Sequence, residues 1–215
     1  MTITENGLRF GVHIGEGQKT GWFMDQRENR AAVALHAKGE KVLDMFCNEG
    51  GFSLAAAAAG ALSVLAVDAS FDAASAVAAN AKANGLEEKI TTHAANAFDF
   101  LRDEKVSGGP YGLIVLDPPA FAKNRASVDG ALRGYREMNV RALKLLGEGG
   151  ILATFSCSYW ISRERFLETL EAAAADTGMR LRYIRELCQS PDHPIVSGYP
   201  ESRYLKGFIV AAEKR

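Results

Sequence analysis

Several short segments of the sequence hold side chains that could do chemistry. Thr154-Phe155-Ser156-Cys157-Ser158 presents a thiol flanked by hydroxyls. A thiolate is a strong nucleophile, although most buried cysteines are inert packing residues. Asp117-Pro118-Pro119-Ala120-Phe121 presents an acid whose position two prolines would stiffen, with Phe121 available to stack on a flat base. A rigid strand-to-loop corner would use the same prolines. Asp44-Met45-Phe46-Cys47-Asn48-Glu49-Gly50-Gly51-Phe52 has glycines that let backbone approach a ligand, as an ordinary turn into a helix also would. It is not G-x-G-x-x-G, so a dinucleotide reading is weak.

Asp68 lies 24 positions after Asp44. A carboxylate there can accept from both ribose hydroxyls and would repel a 2′-phosphate. Its competing use is a helix N-cap, for which Ser70 and Asp72 are also at hand. Asn96 could read an adenine edge, cap a helix, or do both. Cys47 and Cys188 read as packing residues. Lys123, Arg125, Arg133, Arg136, Arg141 and Lys144 form either a solvated helix face or a contact for phosphates. The 4 histidines have no metal-ligand spacing and there is no P-loop, so no metal is expected.

These segments need elements to hold them. Segments 42–46, 62–67, 89–93, 111–116, 150–155, 181–187 and 203–212 read as strands, 111–116 a strongly apolar one. Helical spacing falls at 52–59, 71–83, 98–104, 134–146 and 163–175. Repeated strand–helix units imply an α/β fold with a doubly wound, mostly parallel seven-stranded sheet. Ligands bind such sheets beyond the carboxyl ends of the strands, which is where each segment above falls. Ahead of the sheet, Leu8–Ile14, a turn at Gly15-Glu16-Gly17 and a return at Gly21-Trp22-Phe23-Met24 read as a β-hairpin. It would serve as a flap over a cofactor or as cover for a sheet edge. A helix over Gln26–Lys38 would follow, N-capped by Asp25. The expected division is 1–39 as hairpin and helix appended to a domain at 40–215.

With 215 residues, 47% hydrophobic and 24% charged, the chain suits one domain with a substantial core. No apolar run is both long enough and charge-free enough for a membrane span, and the first residues do not read as a signal peptide. Three scattered cysteines suit a reducing cytoplasm. A net charge of −1 lowers the prior for nucleic acid, leaving RNA contact to a local basic patch or a partner domain.

The chain also contains Lys19-Thr20-Gly21-Trp22-Phe23-Met24-Asp25-Gln26-Arg27-Glu28-Asn29-Arg30, Gly50-Gly51-Phe52, Asp117-Pro118-Pro119, Phe155-Ser156-Cys157-Ser158, His193-Pro194 and the run from Tyr199 to Phe208. Together they resemble the large-subunit ribosomal RNA cytosine-C5 methyltransferase family, over nearly the whole chain. The resemblance implies a Rossmann-like class I fold, S-adenosyl-L-methionine as cofactor and a ribosomal RNA partner. It implies Cys157 and Asp117 as catalytic residues. Cofactor contacts are implied at Thr20, Gly21, Asp44, Phe46, Asn48, Gly50, Asp68, Ala69, Asn96, Ala97, Asp117 and Pro118. The family usually carries an N-terminal RNA-binding PUA domain, and a catalytic domain without it is expected here. Cys47-Asn48-Glu49 stands where Ser-Tyr-Thr is typical, and Asn96 where Asp is typical. Asn keeps an acceptor for adenine N6 and loses the charge. Two other readings remain: methylation at a nitrogen or of another substrate, and a cofactor-binding module without catalysis.

Overall fold

The computed structural model describes residues 1–12, 21–103 and 109–214. After a two-stranded hairpin, β1 (Thr2–Glu5) and β2 (Leu8–Gly11), come a 3-10 turn (Met24–Gln26) and α1 (Arg27–Ala34). The main sheet takes β3 (Lys41–Met45), β4 (Ser63–Asp68), β5 (Ile90–Ala94), β6 (Tyr111–Leu116), β7 (Leu146–Ser156), β8 (Met179–Leu187) and β9 (Lys206–Lys214). Helices α2 (Gly51–Ala58), α3 (Phe71–Ala83), α4 (Ala97–Arg102), α5 (Val128–Leu145) and α6 (Arg163–Thr177) cover its faces. The strand order is β5-β4-β3-β6-β7-β9-β8. Every pairing is parallel except those of β9, which runs antiparallel to β7 and β8. This is the Rossmann-like, mostly parallel seven-stranded sheet expected.

The central strands are apolar throughout because both faces are covered. Side chains alternate between them. Val42, Val64, Leu113 and Val115 enter one core with Phe10, Trp22, Val33 and Phe155. Leu43, Val67, Ile114 and Leu116 enter the other with Tyr135, Met138, Phe166 and Phe208. The strand order reverses between β3 and β6. Met45 pairs with both Val67 and Leu116. Phe46, Asp68 and Asp117 therefore leave the sheet at one level, where a crevice opens.

The N-terminal region departs from expectation. The hairpin is formed by Thr2–Gly11, with Glu5 opposite Leu8. Its two-residue loop is Asn6-Gly7, with φ of 50° and 81°, the left-handed pair that a tight hairpin turn favours. The turn expected at 15–17 and the site residue Thr20 lie outside the described residues. Gly21-Trp22-Phe23 forms a bend rather than a returning strand. Asp25 does not cap α1; it sits inside the 3-10 turn, and the preceding cap position, Gln26, makes no side-chain capping bond. The helix stops at Ala34 rather than Lys38. Cys188 is exposed, not packed. Of the basic cluster, Arg136 is paired with Asp176 of α6 by two bonds of 2.7 Å. Lys123 and Arg125 are exposed on the loop beyond Pro119.

Candidate active site

The ends of β3, β4, β6 and β7 open on a cleft of about 1350 Å³. Of the residues anticipated from sequence, Phe46, Asn48, Asp68, Ala69, Asn96, Ala97, Asp117, Pro118 and Cys157 line it. On one wall, the loop after β3 turns sharply, with φ of 64° at Phe46, 45° at Asn48 and 84° at Gly50. Left-handed backbone costs a non-glycine residue on the order of 1–3 kcal/mol. The N–H groups of Phe46 and Cys47 donate to the Val67 carbonyl at 2.8 and 3.1 Å, which holds the turn against β4. Asp68 accepts from the N–H groups of Asn48 (3.1 Å) and Ser70 (3.0 Å). The capping of α3 falls to Ser70, leaving Asp68 at the rim of the cleft.

Three anticipated residues stand back from the cleft surface. Gly50 faces inward: a Cβ there would lie 2.9 Å from Leu54 Cδ1 and 3.0 Å from Val77 Cγ1. Its place is set by turn geometry and packing. Gly21 is not among the lining residues, whereas its neighbours Trp22 and Phe23 are. Asp44 lies beneath the loop, 1% exposed. Ser53 Oγ donates to its Oδ2 at 2.5 Å, and its buried Oδ1 has no hydrogen-bond partner. Burial pushes its pKa up to about 7 against the pull of the Ser53 hydroxyl, and the Asp117 and Asp68 charges push the same way. Cys47 is also buried, and desolvation raises its thiol pKa far above the usual range; this thiol stays protonated.

Asn96 both caps α4 and lines the cleft. Its Oδ1 accepts from the N–H groups of Phe98 (3.0 Å) and Asp99 (3.4 Å). The cap occupies the acceptor expected to meet adenine N6, so the group left for a ligand is the amide NH₂, a donor.

The opposite wall is assembled from distant segments. Asp117 Oδ1 accepts from Gln26 Nε2 at 2.9 Å. Gln26 is itself held, its Oε1 accepting from Asn29 Nδ2 at 2.6 Å, and Asn29 donates also to the Cys188 carbonyl. Cys157, half-buried, points its thiol at the Pro118 carbonyl, 3.7 Å away. The hydroxyls on either side of it do not face the cleft; Ser156 and Ser158 meet Tyr135 Oη at 3.1 and 3.0 Å. Tyr204 Oη donates to Asp25 at 2.8 Å, and both line the cleft. Phe121, expected to be free for stacking, is held between Phe98 and Tyr135, with ring centroids 6.0 and 4.6 Å away. Phe98 lines the cleft in its place. Gln26, Asp25 and Tyr204 carry no chemical signature in sequence. They lie in two of the six segments that carry the resemblance, which was the one pointer to them.

Asp25, Glu49, Asp68, Asp72 and Asp117 all line this cleft. Among the described residues, the cation lining it is Arg30, whose Nε is paired with Glu5 at 2.6 Å. Such a lining repels phosphate and attracts a cation. No cluster of ligands suited to a metal occurs among the described residues. The family model described as "S-adenosylmethionine-dependent methyltransferase" matches residues 1–205.

The chain belongs to that family. Its cofactor, S-adenosylmethionine, carries a sulfonium and an ammonium, and the acidic lining fits those charges. Among relatives, this methyltransferase is 42% identical over 210 residues to "Ribosomal RNA large subunit methyltransferase I" of Shewanella denitrificans, covering 97% of this chain and 53% of that protein. The protein of the same name from Pseudoalteromonas atlantica is 42% identical over 212 residues, covering 97% and 53%. The chain thus spans about half the length of the curated relatives it matches. In fold it is similar to a candidate methyltransferase from Streptococcus mutans, with a TM-score of 0.87, 25% identity, and coverage of 98% of this chain and 55% of that one. A further crystal structure, a candidate methyltransferase complexed with SAH, has a TM-score of 0.87 at 26% identity, covering 98% and 55%. No described helix is long and apolar enough to cross a membrane.

Proposed function

We propose that this methyltransferase forms 5-methylcytosine in large-subunit ribosomal RNA, through a covalent bond between Cys157 and C6 of the target base. The observation that carries this reading is the meeting of Cys157 and the Asp117-Pro118 corner, 3.7 Å apart at adjacent strand ends, on the cleft that holds the acids of the cofactor wall. Methylation of a nitrogen needs no thiol, because the lone pair attacks directly. The names of the relatives support a ribosomal substrate. Exposed aromatics beside Cys157 support a nucleic-acid one: Tyr159 and Trp160 are 46% and 43% exposed and meet edge to face at 5.2 Å. Unstacked bases stack on such rings.

In this reading Asp68 holds the ribose hydroxyls, Asn96 and Ala97 border the adenine, and Phe46, Asn48, Ala69 and Pro118 shape the walls. Asp44 and Gly50 act from beneath, and Thr20 and Gly21 are cofactor contacts that the resemblance implies. Residues 1–39 then serve 40–215 by delivering Gln26 to Asp117. The cofactor supplies an electrophilic methyl group. C5 of cytosine is too weak a nucleophile to take it unaided. Addition of Cys157 Sγ to C6 makes C5 enamine-like. Asp117, oriented by Gln26, acts in its protonated form: it donates to N3, accepts from the exocyclic amine and so offsets the negative charge that builds on the ring. After C5 takes the methyl group, water takes its proton, the C6–Sγ bond breaks and the ring is restored. The target base must leave its stack to reach the cleft. Free thiols in this role suit the reducing cytoplasm.

The test is label transfer from tritiated cofactor to total RNA of a methyltransferase-deficient strain, followed by nucleoside analysis. Label in 5-methylcytosine is expected; label in a methylated purine would overturn the reading. A 5-fluorocytosine RNA should trap a covalent adduct whose mass maps to Cys157.

A further inference from the structure

Beside Cys157 lies a buried cation that the mechanism above leaves unused. Lys206 opens β9, opposite Ser156 of β7 in the sheet register. It is 6% exposed, unusual for an ammonium group, which is expensive to bury unless well partnered. Its Nζ donates to the carbonyls of Ser158 and Ile161, both at 2.7 Å. Those carbonyls lie on either side of the Tyr159-Trp160 corner, so Lys206 ties down the turn that follows Cys157. Two of its three N–H groups are engaged in this way, and both partners are neutral. Among the described residues no ion pair neutralises it.

We propose that Lys206 is a positioning residue for the nucleophile: its buried ammonium fixes the Cys157 turn and stabilises the Cys157 thiolate. This rests on the reading of Cys157 as nucleophile.

The other ionisable groups around the thiol do not supply that charge. Tyr135, packed from α5, has its pKa pushed up to about 12 by burial. Tyr204 is also raised, by burial and by its bond to Asp25. Both are neutral near pH 7. Asp117, reached through Pro118, is an acid bonded by Gln26 and supplies no positive charge. Lys206 is therefore the cation in position to favour a thiolate. Desolvation lowers its own pKa to about 8, and the Cys157 thiolate acts to raise it. The influence is reciprocal: whatever the thiolate does for the ammonium, the ammonium does for the thiolate.

The test reads the thiol directly and needs no RNA. Iodoacetamide alkylation of Cys157 is followed against pH by peptide mass spectrometry, which separates it from Cys47 and Cys188. In Lys206→Met the midpoint should rise by about one pH unit or more, making alkylation about tenfold slower near pH 7. Calorimetry with S-adenosylmethionine and a melting curve establish that the variant is folded. An unchanged midpoint in folded protein overturns the proposal, whatever RNA analysis says of the modified atom. Should Lys206→Met not fold, the reciprocal measurement decides. With ¹⁵N-labelled lysine, the Nζ of Lys206 should titrate at lower pH in Cys157→Ser than in the parent protein, and equal midpoints would sink the idea.

Discussion

On the wall formed by the ends of β3, β4 and β5, the cleft groups are held by their own or the next loop. Asp68 takes N–H groups from positions 2 and 20 residues away, and Asn96 takes one from 2 residues away. On the wall formed by β6, β7 and β9, the partners are remote. Gln26 reaches Asp117 across 91 residues, Tyr204 reaches Asp25 across 179, and Lys206 reaches Ser158 across 48. The first wall is a local device that any strand–loop–helix unit can carry. The second exists only once the sheet has closed and the N-terminal segment has docked. Damage to the first should therefore fall on cofactor affinity or loop stability, and damage to the second on turnover.

The largest effect should come from Cys157→Ala. Loss of a nucleophile that no neighbour can replace lowers turnover by on the order of 10³-fold or more, while calorimetry should show cofactor affinity unchanged. Normal 5-methylcytosine formation by this variant would remove the covalent step and, with it, the functional contrast between the walls.

Next is the buried acid of the first wall. The folded pKa of Asp44 is raised to about 7 from the ordinary 3.8 of an aspartate. Between those values the folded protein binds the extra proton and the unfolded chain does not. Stability of the cofactor-free protein should therefore fall as pH rises from about 4 to 7, by up to roughly 4 kcal/mol from this group. Asp44→Asn, which cannot ionise, should flatten that slope in urea titrations. A slope identical to that of the parent would mean that Asp44 is solvated or already paired.

Asp68→Ala should weaken S-adenosylmethionine binding by about 1.5–3 kcal/mol, roughly 10- to 150-fold, for loss of charge-assisted bonds. Turnover at saturating cofactor should change little. If kcat fell and affinity held, the two walls would not be functionally separate. The smallest effect is expected from Gln26→Ala, which removes one bond to Asp117. A loss of about 1–2 kcal/mol corresponds to roughly 5- to 30-fold in kcat, with cofactor affinity retained, in a single-turnover assay.

Much of the fold was legible in the chain. All seven sheet strands overlap the segments predicted for them; the central ones were plainest, because a strand covered on both faces must be largely apolar. Asp68 and Asp117 could be singled out because a residue that ends a buried strand in a doubly wound sheet faces the crevice by topology alone. The hairpin was misplaced because the alternation of Leu8–Ile14 outweighed the Asn6-Gly7 turn signal. Phe121 was misjudged because nothing local distinguishes a ring that stacks on a ligand from one that packs on Tyr135.

What the sequence by itself determined is the set of strand ends, the residues standing on them and the acidic character of the cofactor wall. These follow from periodicity and from chemistry carried by neighbours in the chain. What only the tertiary structure decided is which groups remain free at those ends. Asn96 has its acceptor taken by a cap, Asp44 keeps one oxygen unpartnered, Asp117 is steered by Gln26, and Cys157 lies beside a buried ammonium. Hydrogen bonding and desolvation depend on distances across the closed fold, and no local pattern of residues encodes them.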